Sequence, residues 1–498
     1  MQQPNTIKKK RRLRLNATQS IAVVFAAIIL AGTGLLMLPA ASRSGVSCGF
    51  QPALFTATSA TCVTGLVLYD TYTQWSPFGQ TVIITLIEIG GLGFMSAAST
   101  FVFLLRKRVG LRQKMVMAQA LNLSDMDGVV RIQKLVLTGS LTIQGIGAAI
   151  LLLRFWPRFG FRRALAWGVF HAISAFCNAG FDLFGALAPG QSLILFNDDP
   201  IICLTLMALV TVGGLGFLVW EELARVRKFK HFSVYTKLVL LMTGGILLVG
   251  TGVILGLEWT NPQTFGPMPV WQKLMNAFFQ TGTLRTAGFV TVDQAALRDA
   301  TKVFSILIMF IGGSSGSTAG GLKTVTFLVI ALFIWARIRG RSTIQVCRRT
   351  IPQSQVLDAM TIAFMMIGLA MFGGVFISAT SPVSFTDGLY EAVSALATVG
   401  LTAGVTGSLS IPAQILIICY MYFGRVGPLT LALALAKRQV GVSKLERNMN
   451  VINLYKSGYP INEIWKQSGF RSRSSVFRIL NDAGIKLQRG NRRKNIED

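Results

Sequence analysis

Long apolar stretches alternate with shorter, less apolar ones along most of the chain. Eight reach the roughly 20 residues that a helix needs to cross a bilayer. They lie near residues 20–39, 78–105, 133–153, 199–220, 236–257, 302–336, 355–380 and 410–436. Shorter segments near 50–64, 165–179, 272–287 and 386–399 predict re-entrant segments that return to the side they entered. The pattern therefore predicts an all-α membrane protein with eight transmembrane helices and four re-entrant pore helices.

Clusters of lysine and arginine predict how these helices are oriented. They occur at the N-terminus and after the second, fourth, sixth and eighth stretches, so eight crossings put all five on one side. The positive-inside rule then predicts a multi-pass protein of the plasma (inner) membrane with both termini in the cytoplasm. A fifth internal cluster disagrees, because Arg154, Arg158, Arg162 and Arg163 fall outside. A cleaved signal peptide is the alternative for the first stretch, which exceeds a usual signal core.

Composition agrees with a membrane protein and argues against an enzyme. Of 498 residues, 52% are hydrophobic and only 14% are charged, about half the usual soluble fraction. The 6 cysteines form no CxxC pair and there are only 2 histidines, so neither a zinc site nor a histidine-based triad is expected. The sequence contains no GxxxxGK[ST] motif, so hydrolysis of ATP is not expected.

The four short segments repeat one pattern around a glycine. They read FTATSATCVTGL, FHAISAFCNAGF, FFQTGTLRTAGF and YEAVSALATVGL. The glycines are Gly65, Gly180, Gly288 and Gly400, separated by 115, 108 and 112 residues. Ten residues earlier stand Phe55, Phe170, Phe278 and Tyr390, and six residues earlier stand Ser59, Ser174, Gly282 and Ser394. Close helix packing explains an isolated glycine but not this recurrence, so we expect four repeats, at 19–106, 107–224, 225–340 and 341–440, after a basic N-terminus at 1–18.

A second glycine-rich element follows each of these glycines. GGLGF begins at Gly90 and again at Gly213, the third repeat has GGSSGSTAGG from Gly312, and the fourth has Gly424 to Gly427. The separation is 24–25 residues in three repeats and 33 in the second. So many glycines and serines in the third repeat predict a helix broken in mid-membrane, which is tolerated only beside a cavity.

Four extended loops that meet around one axis would satisfy their carbonyl groups by coordinating a permeating ion. Such carbonyl rings replace the hydration shell of a monovalent cation. The candidate filter residues are Thr61, Cys62, Val63, Thr64 and Gly65; Cys177, Asn178, Ala179 and Gly180; Arg285, Thr286, Ala287 and Gly288; and Ala397, Thr398, Val399 and Gly400. Carboxylates are nearly absent from them, which argues against a divalent-cation site.

Charged residues near these loops have two possible roles. Five carboxylates, Asp70, Asp182, Asp293, Asp387 and Glu391, lie near the outer ends of the loops. They would attract cations to the mouth or be ordinary solvated loop charges. Arg285 is unexpected in a cation path, so we expect its side chain to point away from the axis and support the loop from behind.

Taken together, these motifs resemble the bacterial potassium-uptake pores of the KtrB/TrkH superfamily, with plant HKT transporters as more distant relatives. The resemblance covers residues 18–440 and is carried by TCVTGL, NAGF, RTAGF, ATVGLTAG, GGLGF and GGSSGSTAGGLK. One span before the first filter glycine is similar to KtrB. The resemblance implies a pseudo-fourfold pore, with backbone carbonyls binding potassium and glycine at all four positions as in potassium-selective members. A serine in the first loop marks sodium-selective plant relatives.

The resemblance also implies a gate in the third repeat. The family's intramembrane gating loop matches Gly312, Gly313, Ser314, Ser315, Gly316, Ser317, Thr318, Ala319, Gly320 and Gly321; a static kink is the alternative. Lys323 and Arg425 are intramembrane cations and hence candidate functional residues. The family's arginine at the position of Arg425 contacts the gating loop. Glu88 is a candidate partner for either cation.

Residues 441–498 differ from the rest, because they are polar and basic. Their short helical patterns resemble the helix-turn-helix of recombinases and transposases, with Arg471–Leu480 as recognition helix. DNA binding, docking onto a soluble subunit and contact with anionic lipid are the alternatives for this tail.

The main prediction is potassium uptake through a four-loop filter, driven by the ion gradient and membrane potential. The resemblance implies a homodimer on a cytoplasmic ring of KtrA-type subunits, which would bind the nucleotide. Sodium is the alternative or coupled ion. The alternatives are a sodium-preferring pore of the same fold and a membrane-anchored DNA-binding regulator.

Overall fold

The computed structural model describes residues 17–93, 129–226, 228–341, 344–346, 349–427, 451–452, 455, 461–468 and 473–482. The chain divides into two compact units, residues 1–431 and 432–498. The basic N-terminal stretch, the basic clusters after the second and eighth apolar stretches, the start of the second predicted repeat and most of the tail lie outside the described residues.

The first unit is built almost entirely from helices. They are α1 (Ala17–Leu36), α2 (Phe50–Thr61), α3 (Thr71–Gln74), α4 (Pro77–Leu92), α5 (Val129–Phe159), α6 (Phe161–Phe176), α7 (Pro200–Leu215), α8 (Phe217–Arg225), α9 (Val234–Glu258), α10 (Val270–Thr283), α11 (Asp299–Ile311), α12 (Thr324–Ile338), α13 (Gln353–Thr380), α14 (Phe385–Leu396) and α15 (Ile411–Val426). Strands β1 (Gln345–Val346) and β2 (Arg349–Thr350) form a small antiparallel hairpin. The chain is thus mostly helical, as the apolar pattern predicts.

Three described helices are long and apolar enough to cross a membrane: Gln133–Phe159, Val234–Glu258 and Gln353–Thr380. Shorter apolar helices cover Ala22–Leu36, Pro77–Leu92, Thr324–Ile338 and Ile411–Val426. The eight crossings therefore stay a prediction.

Two predicted spans are not continuous helices. The stretch near 199–220 bends by 95° between α7 and α8, because Gly216 has a φ of +98° that an α-helix does not accommodate. The stretch near 302–336 divides into α11 and α12, and α11 ends at Gly312 with a φ of +63°. Helices α4 and α15 end in the same way, at Gly93 and Gly427. Positive-φ glycines thus end all four helices that follow the repeated segments.

Three of these four helices, α4, α7 and α15, also begin in the same way, and α11 is the exception. Ser76, Asp199 and Ser410 cap α4, α7 and α15, each accepting a hydrogen bond from a first-turn N–H. Each of these three helices also has proline in its first turn, where the missing N–H costs nothing. The N-cap of α11 is Arg298, whose side chain makes no capping bond.

The aromatic residues ten positions before each glycine anchor the short helices α2, α6, α10 and α14 in the core. Phe55, Phe170 and Tyr390 are buried, and Phe278 is half-buried against one of the two larger apolar clusters of the unit. Burying such a side chain stabilises a fold by about 1.5–3 kcal/mol.

The second unit has a small apolar core of its own. Helix α16 (Ile461–Ser468) contributes Ile464, helix α17 (Arg473–Asp482) contributes Val476, Ile479 and Leu480, and Val451 completes the cluster. The predicted recognition helix therefore corresponds to α17.

Candidate functional site

The four repeated glycines lie next to one another in a closed ring, the glycine ring. A Cβ built on Gly65 would lie 3.3 Å from the Cα atoms of both Gly180 and Gly400. One built on Gly180 would lie 2.7 Å from the Cα of Gly288, and one on Gly288 would lie 3.5 Å from the Cα of Gly400. At these separations only glycine lets the four backbones approach so closely.

Two backbone positions are left-handed in all four loops. The ring glycines Gly65, Gly180, Gly288 and Gly400 have φ values of +99°, +69°, +81° and +89°. Two residues before them, Val63, Asn178, Thr286 and Thr398 have φ values of +55°, +59°, +68° and +52°. Left-handed backbone costs a non-glycine residue about 1–2 kcal/mol. Its recurrence at the same position four times shows that the surrounding packing imposes one loop conformation.

The hydroxyl groups at the ends of the short helices hold these loops. Ser59 accepts a hydrogen bond from the N–H of Gly65 at 3.0 Å, and Ser394 accepts one from Gly400 at 3.1 Å. Ser174 donates to the carbonyl of Phe181 at 2.7 Å. These are the small residues that the sequence places six positions before the ring glycines. We call these loop-holding hydroxyl groups the straps. The sequence showed only that the residues are small, and not that they bond to the loops.

The third loop is held differently. Its residue at that position is Gly282, and the next residue, Thr283, donates to the carbonyl of Phe289 at 2.7 Å. A side chain on Gly282 would overlap Met207. A neighbouring threonine therefore takes the place of the serine, and Met207 occupies the space beside Gly282.

A cavity of about 290 Å³ opens onto one face of the glycine ring. All four ring glycines line it, together with Asp70 and Asp182. Burial raises the pKa of Asp182 to about 6, partly offset by hydrogen bonds from the Ser192 side chain and the Phe184 N–H, while nearby Asp70 raises it further. We call this acid-lined cavity the vestibule.

The other carboxylates near the loops do not line the vestibule. Asp387 pairs with Lys302 at 2.8 Å. Glu391 is buried and accepts hydrogen bonds from the N–H of Ala403 at 3.2 Å and the hydroxyl of Thr406 at 3.0 Å. Asp293 is exposed and bonds locally to the N–H of Ala295. Their contacts make Asp387 and Glu391 structural groups.

The recurring second glycine lets a long helix reach the end of each short one. A Cβ on Gly90, Gly213 or Gly424 would overlap the carbonyl oxygen of Thr61, Phe176 or Leu396, respectively. Each of these carbonyls belongs to the last residue of α2, α6 or α14. The spacings of 25, 33 and 24 residues between the ring glycine and this second glycine thus correspond to one packing contact that occurs in three repeats.

Residues 312–321, the 312–321 loop, are non-helical and bind the bend between α7 and α8. The N–H of Ser314 donates to the carbonyl of Gly214 at 3.2 Å, and the N–H of Phe217 donates to the carbonyl of Gly316 at 2.8 Å. On its other side, a Cβ on Gly320 would lie 2.7 Å from the carbonyl oxygen of Ala397 in the fourth loop. The loop therefore lies against the filter loops.

The two candidate gate cations both contact this loop. The Arg425 guanidinium donates to the carbonyl of Thr318 and to those of Gly90 and Gly91 near the end of α4, the last at 3.1 Å. Helix-terminal carbonyls carry partial negative charge, which suits a cation. Lys323 donates to the carbonyl of Ala319 at 2.7 Å.

Glu88 does not pair with either cation, so that expectation is wrong. Its carboxylate accepts hydrogen bonds from Gln144 at 3.0 Å and from the thiol of Cys177 at 3.3 Å. Carbonyl groups take the place expected for a carboxylate at Arg425, and Glu88 instead supports the second loop from behind.

Arg285 is buried, with 6% of its surface exposed, and does not line the vestibule. Its Nε and Nη2 atoms have no hydrogen-bond partner among the described residues. The side chain borders a small space with Met207 and Thr211. Arg285 thus lies outside the lining of the vestibule, and its support of the loop from behind stays a prediction.

Part of the arginine cluster at 154–163 is paired with a carboxylate. Asp199 accepts from Arg154 at 2.7 Å and lies 3.8 Å from Arg158. Arg163 lies over the ring of Trp167. Two of the four arginines that disagree with the predicted topology therefore share one carboxylate partner.

Comparison with known proteins shows the class to which this arrangement belongs. The family model of TrkH, a cation transport protein, matches residues 4–441. The chain is 39% identical over 435 residues to the potassium/sodium uptake protein NtpJ of Enterococcus hirae, covering 86% of this chain and 95% of that one. It is also 39% identical over 429 residues to the Ktr system potassium uptake protein B of Bacillus subtilis, covering 86% and 94%.

A solved structure shares the fold of the chain. The crystal structure of the potassium transporter TrkH from Vibrio parahaemolyticus matches with a TM-score of 0.67 and 19% identity, covering 86% of each chain. The protein is a membrane cation transporter and not an enzyme. It belongs to the TrkH cation transport protein family, which confirms the resemblance inferred from its motifs.

The tail lies beyond residue 441, where the family match ends. The alternative of a membrane-anchored DNA-binding regulator has no support in these comparisons, whose relatives are cation transporters.

Proposed function

We propose that the chain takes up potassium across the plasma membrane through a filter at the glycine ring. The observation that carries this proposal is the closed ring of four left-handed glycines at the face of an acid-lined vestibule. Two of the relatives named above are potassium uptake proteins, which agrees with potassium as the transported ion.

The filter would work through its backbone. Carbonyl groups of the four loops would replace the water around one alkali ion at a time, and the strap hydroxyls would fix the loop spacing. Asp70 and Asp182 would concentrate cations in the vestibule. The 312–321 loop, with Lys323 and Arg425, would close the path on the other side of the ring until it moves.

The proposed architecture has eight crossings in four helix–pore loop–helix repeats around a pseudo-fourfold axis, with both termini in the cytoplasm. The functional form would be a homodimer on a cytoplasmic ring of KtrA-type, nucleotide-binding subunits. The name of a relative as part of a Ktr system agrees with a multi-component assembly. The basic tail would lie in the cytoplasm, as would the proposed ring of KtrA-type subunits.

Sodium is the second candidate ion. NtpJ is a potassium/sodium uptake protein, so a pore that accepts or couples sodium deserves a direct measurement.

The test is growth of a potassium-uptake-deficient bacterium on low-potassium medium, with and without a KtrA-like partner. We expect the chain to restore growth, and more strongly with the partner. Uptake of rubidium and sodium by the same cells gives the ion preference. Absence of any cation uptake in both backgrounds would refute the proposal.

Gly65→Ser tests the filter assignment. A Cβ at Gly65 would lie 2.6 Å from the carbonyl oxygen of Ala179, in backbone that a side chain rarely adopts. Left-handed strain of about 1–2 kcal/mol predicts a roughly tenfold loss of potassium-over-sodium preference. Gly160→Ser is the matched control, since Gly160 has a φ of +76° and open space around its Cβ. Equal ion preference in the two variants would contradict the assignment.

A further inference from the structure

The 312–321 loop is joined to the second filter loop through a single side chain, Thr318. This residue is buried, as are Phe176 and Asn178 of the second loop. Its hydroxyl lies 3.2 Å from the carbonyl oxygen of Phe176, the last residue of α6, and 3.1 Å from the side-chain amide of Asn178. The contact crosses 140 residues of sequence and connects the proposed gate directly to the proposed filter.

One arrangement satisfies both contacts. A hydroxyl has a single proton, so it donates to one partner and accepts from the other. With the amide nitrogen of Asn178 facing Thr318, the hydroxyl donates to Phe176 and accepts from Asn178. The same nitrogen then lies 3.2 Å from the carbonyl oxygen of Val210 in α7. It also lies 3.3 Å from the carbonyl oxygen of Phe176, so the Thr318 hydroxyl is one of two donors to that carbonyl and one of three partners of the amide nitrogen.

The backbone of Thr318 is held as firmly as its side chain. Its N–H donates to the carbonyl of Gly213 at 3.3 Å, and its carbonyl accepts from Arg425. Every polar atom of the residue is therefore bonded to another element. Movement of the 312–321 loop would break these bonds together.

Such a movement would also change the second filter loop. The carbonyl of Phe176 ends a helix and has no partner within it, and Asn178 has the left-handed backbone that shapes this loop. Losing the Thr318 hydroxyl would remove one hydrogen bond from the buried Phe176 carbonyl and one from the buried Asn178 amide. The fourth loop meets the 312–321 loop differently, since a Cβ on Gly320 would overlap the Thr398 hydroxyl, which itself has no hydrogen-bond partner among the described residues.

We propose that Thr318 is a positioning residue that couples the 312–321 loop to the second filter loop, so that ion discrimination depends on the position of that loop. The inference rests on the proposed function. It goes beyond it, because a plug independent of the filter would alter flux and leave ion preference unchanged.

The test compares Thr318→Val with Thr318→Ser in the full-length chain. Valine keeps the shape and removes the hydroxyl, whereas serine keeps the hydroxyl. We expect Thr318→Val to raise total cation uptake and to lower the potassium-over-sodium ratio about fivefold, the equivalent of one hydrogen bond of about 1 kcal/mol. We expect Thr318→Ser to retain the wild-type ratio. The control is Thr361→Val, whose exposed hydroxyl bonds within α13 to the carbonyl of Leu357.

A double-mutant cycle tests the specific bond. Asn178→Ala alone should lower the ratio, and adding Thr318→Val should lower it little further, because bonded residues act non-additively. Fully additive effects would overturn the coupling. Should the valine variant not accumulate in membranes, Thr318→Ala is measured and judged by the same criteria.

The outcomes separate this inference from the function on which it rests. A wild-type chain that transports no cation would overturn both. A transporting wild type with an unchanged ion ratio in Thr318→Val, whatever its flux, would overturn the coupling alone. A lowered ratio in Thr318→Val together with a wild-type ratio in Thr318→Ser would support it.

Discussion

The third repeat and the other three reach the same loop backbone by different means. In the first, second and fourth, a serine six residues before the ring glycine straps the loop, and a capped, proline-containing helix follows. The third has Gly282 at the strap position, uses Thr283 instead, and starts α11 without a side-chain cap. Its following helix ends at Gly312 and gives way to the 312–321 loop.

The difference shows which features the ring requires. Left-handed backbone at the glycine and two residues before it occurs in all four loops, whereas the hydroxyl that stabilises it changes position and partner. Backbone geometry is therefore the shared requirement, and the side chains around it are free to vary. The ring stays closed although the helix that follows the ring glycine bends by 95° in the second repeat and is interrupted in the third.

The largest expected effect is that of Gly400→Ala compared with Gly288→Ala. A Cβ on Gly400 would overlap the carbonyl oxygen of Thr64, whereas one on Gly288 would lie 2.9 Å from the nearest atoms. We expect Gly400→Ala to abolish potassium uptake and Gly288→Ala to reduce it about tenfold. Both alanines would have a left-handed backbone, which costs about 1–2 kcal/mol, but the third position has more room for the added Cβ. Uptake in cells at equal membrane expression measures both.

The control for this pair is Gly160→Ala. Gly160 also has a positive φ, and a Cβ built on it would have no neighbour within 4 Å. It should transport as wild type does. If it also lost uptake, backbone strain alone would explain the ring variants. If Gly288→Ala were the more severe of the two, the third repeat would be the tighter part of the ring.

A smaller effect is expected from removing the straps. Ser394→Ala leaves the N–H of Gly400 without its acceptor, and Thr283→Val leaves the carbonyl of Phe289 without its donor. A lost hydrogen bond of about 1 kcal/mol predicts a roughly fivefold lower potassium-over-sodium ratio in each. Competitive uptake of the two ions is the measurement.

Thr380→Val serves as control for the straps, since its exposed hydroxyl bonds only within α13. An effect of Ser394→Ala without one of Thr283→Val would mean that the third loop does not depend on a strap. The equivalence drawn between the two residues would then fail.

The smallest effect concerns pH. Burial raises the pKa of Asp182 to about 6, so its negative charge in the vestibule is present above that pH and is lost as pH falls through it. We expect uptake at low external potassium to fall about twofold between pH 7.5 and 5.5, because the attraction of cations weakens. Asp182→Asn should give a flatter profile.

Asp293→Asn provides the comparison within the third repeat, because Asp293 is exposed and lies outside the lining of the vestibule. Its pH profile should match that of the wild type. A flattened profile in this variant would show that loop charge in general sets the pH dependence.

Much of this arrangement was predictable because it repeats. The spacing of Gly65, Gly180, Gly288 and Gly400 predicted four loops, and the structure brings these residues together. The aromatic residues ten positions earlier marked the same repeat, and three of them, Phe55, Phe170 and Tyr390, are buried. A repeat identifies equivalent positions without any knowledge of their contacts.

Contacts between different repeats could not be predicted in the same way. Glu88 pairs with Gln144 and Cys177, and Arg425 with carbonyl groups of three residues. Backbone acceptors have no sequence signature, so a search for carboxylate partners fails at Arg425. The bend at Gly216 was missed because apolar composition continues through it, although GGLGF had already marked the position.

The glycine ring is drawn from a single polypeptide, and its four sectors carry different side chains at the left-handed position: valine, asparagine and two threonines. In a pore made of four identical subunits, every substitution appears four times and the whole aperture changes at once. Here one substitution changes only one of the four sectors of the glycine ring. If the ring is the proposed filter, a single substitution would therefore adjust ion preference through one sector and leave the other three unchanged.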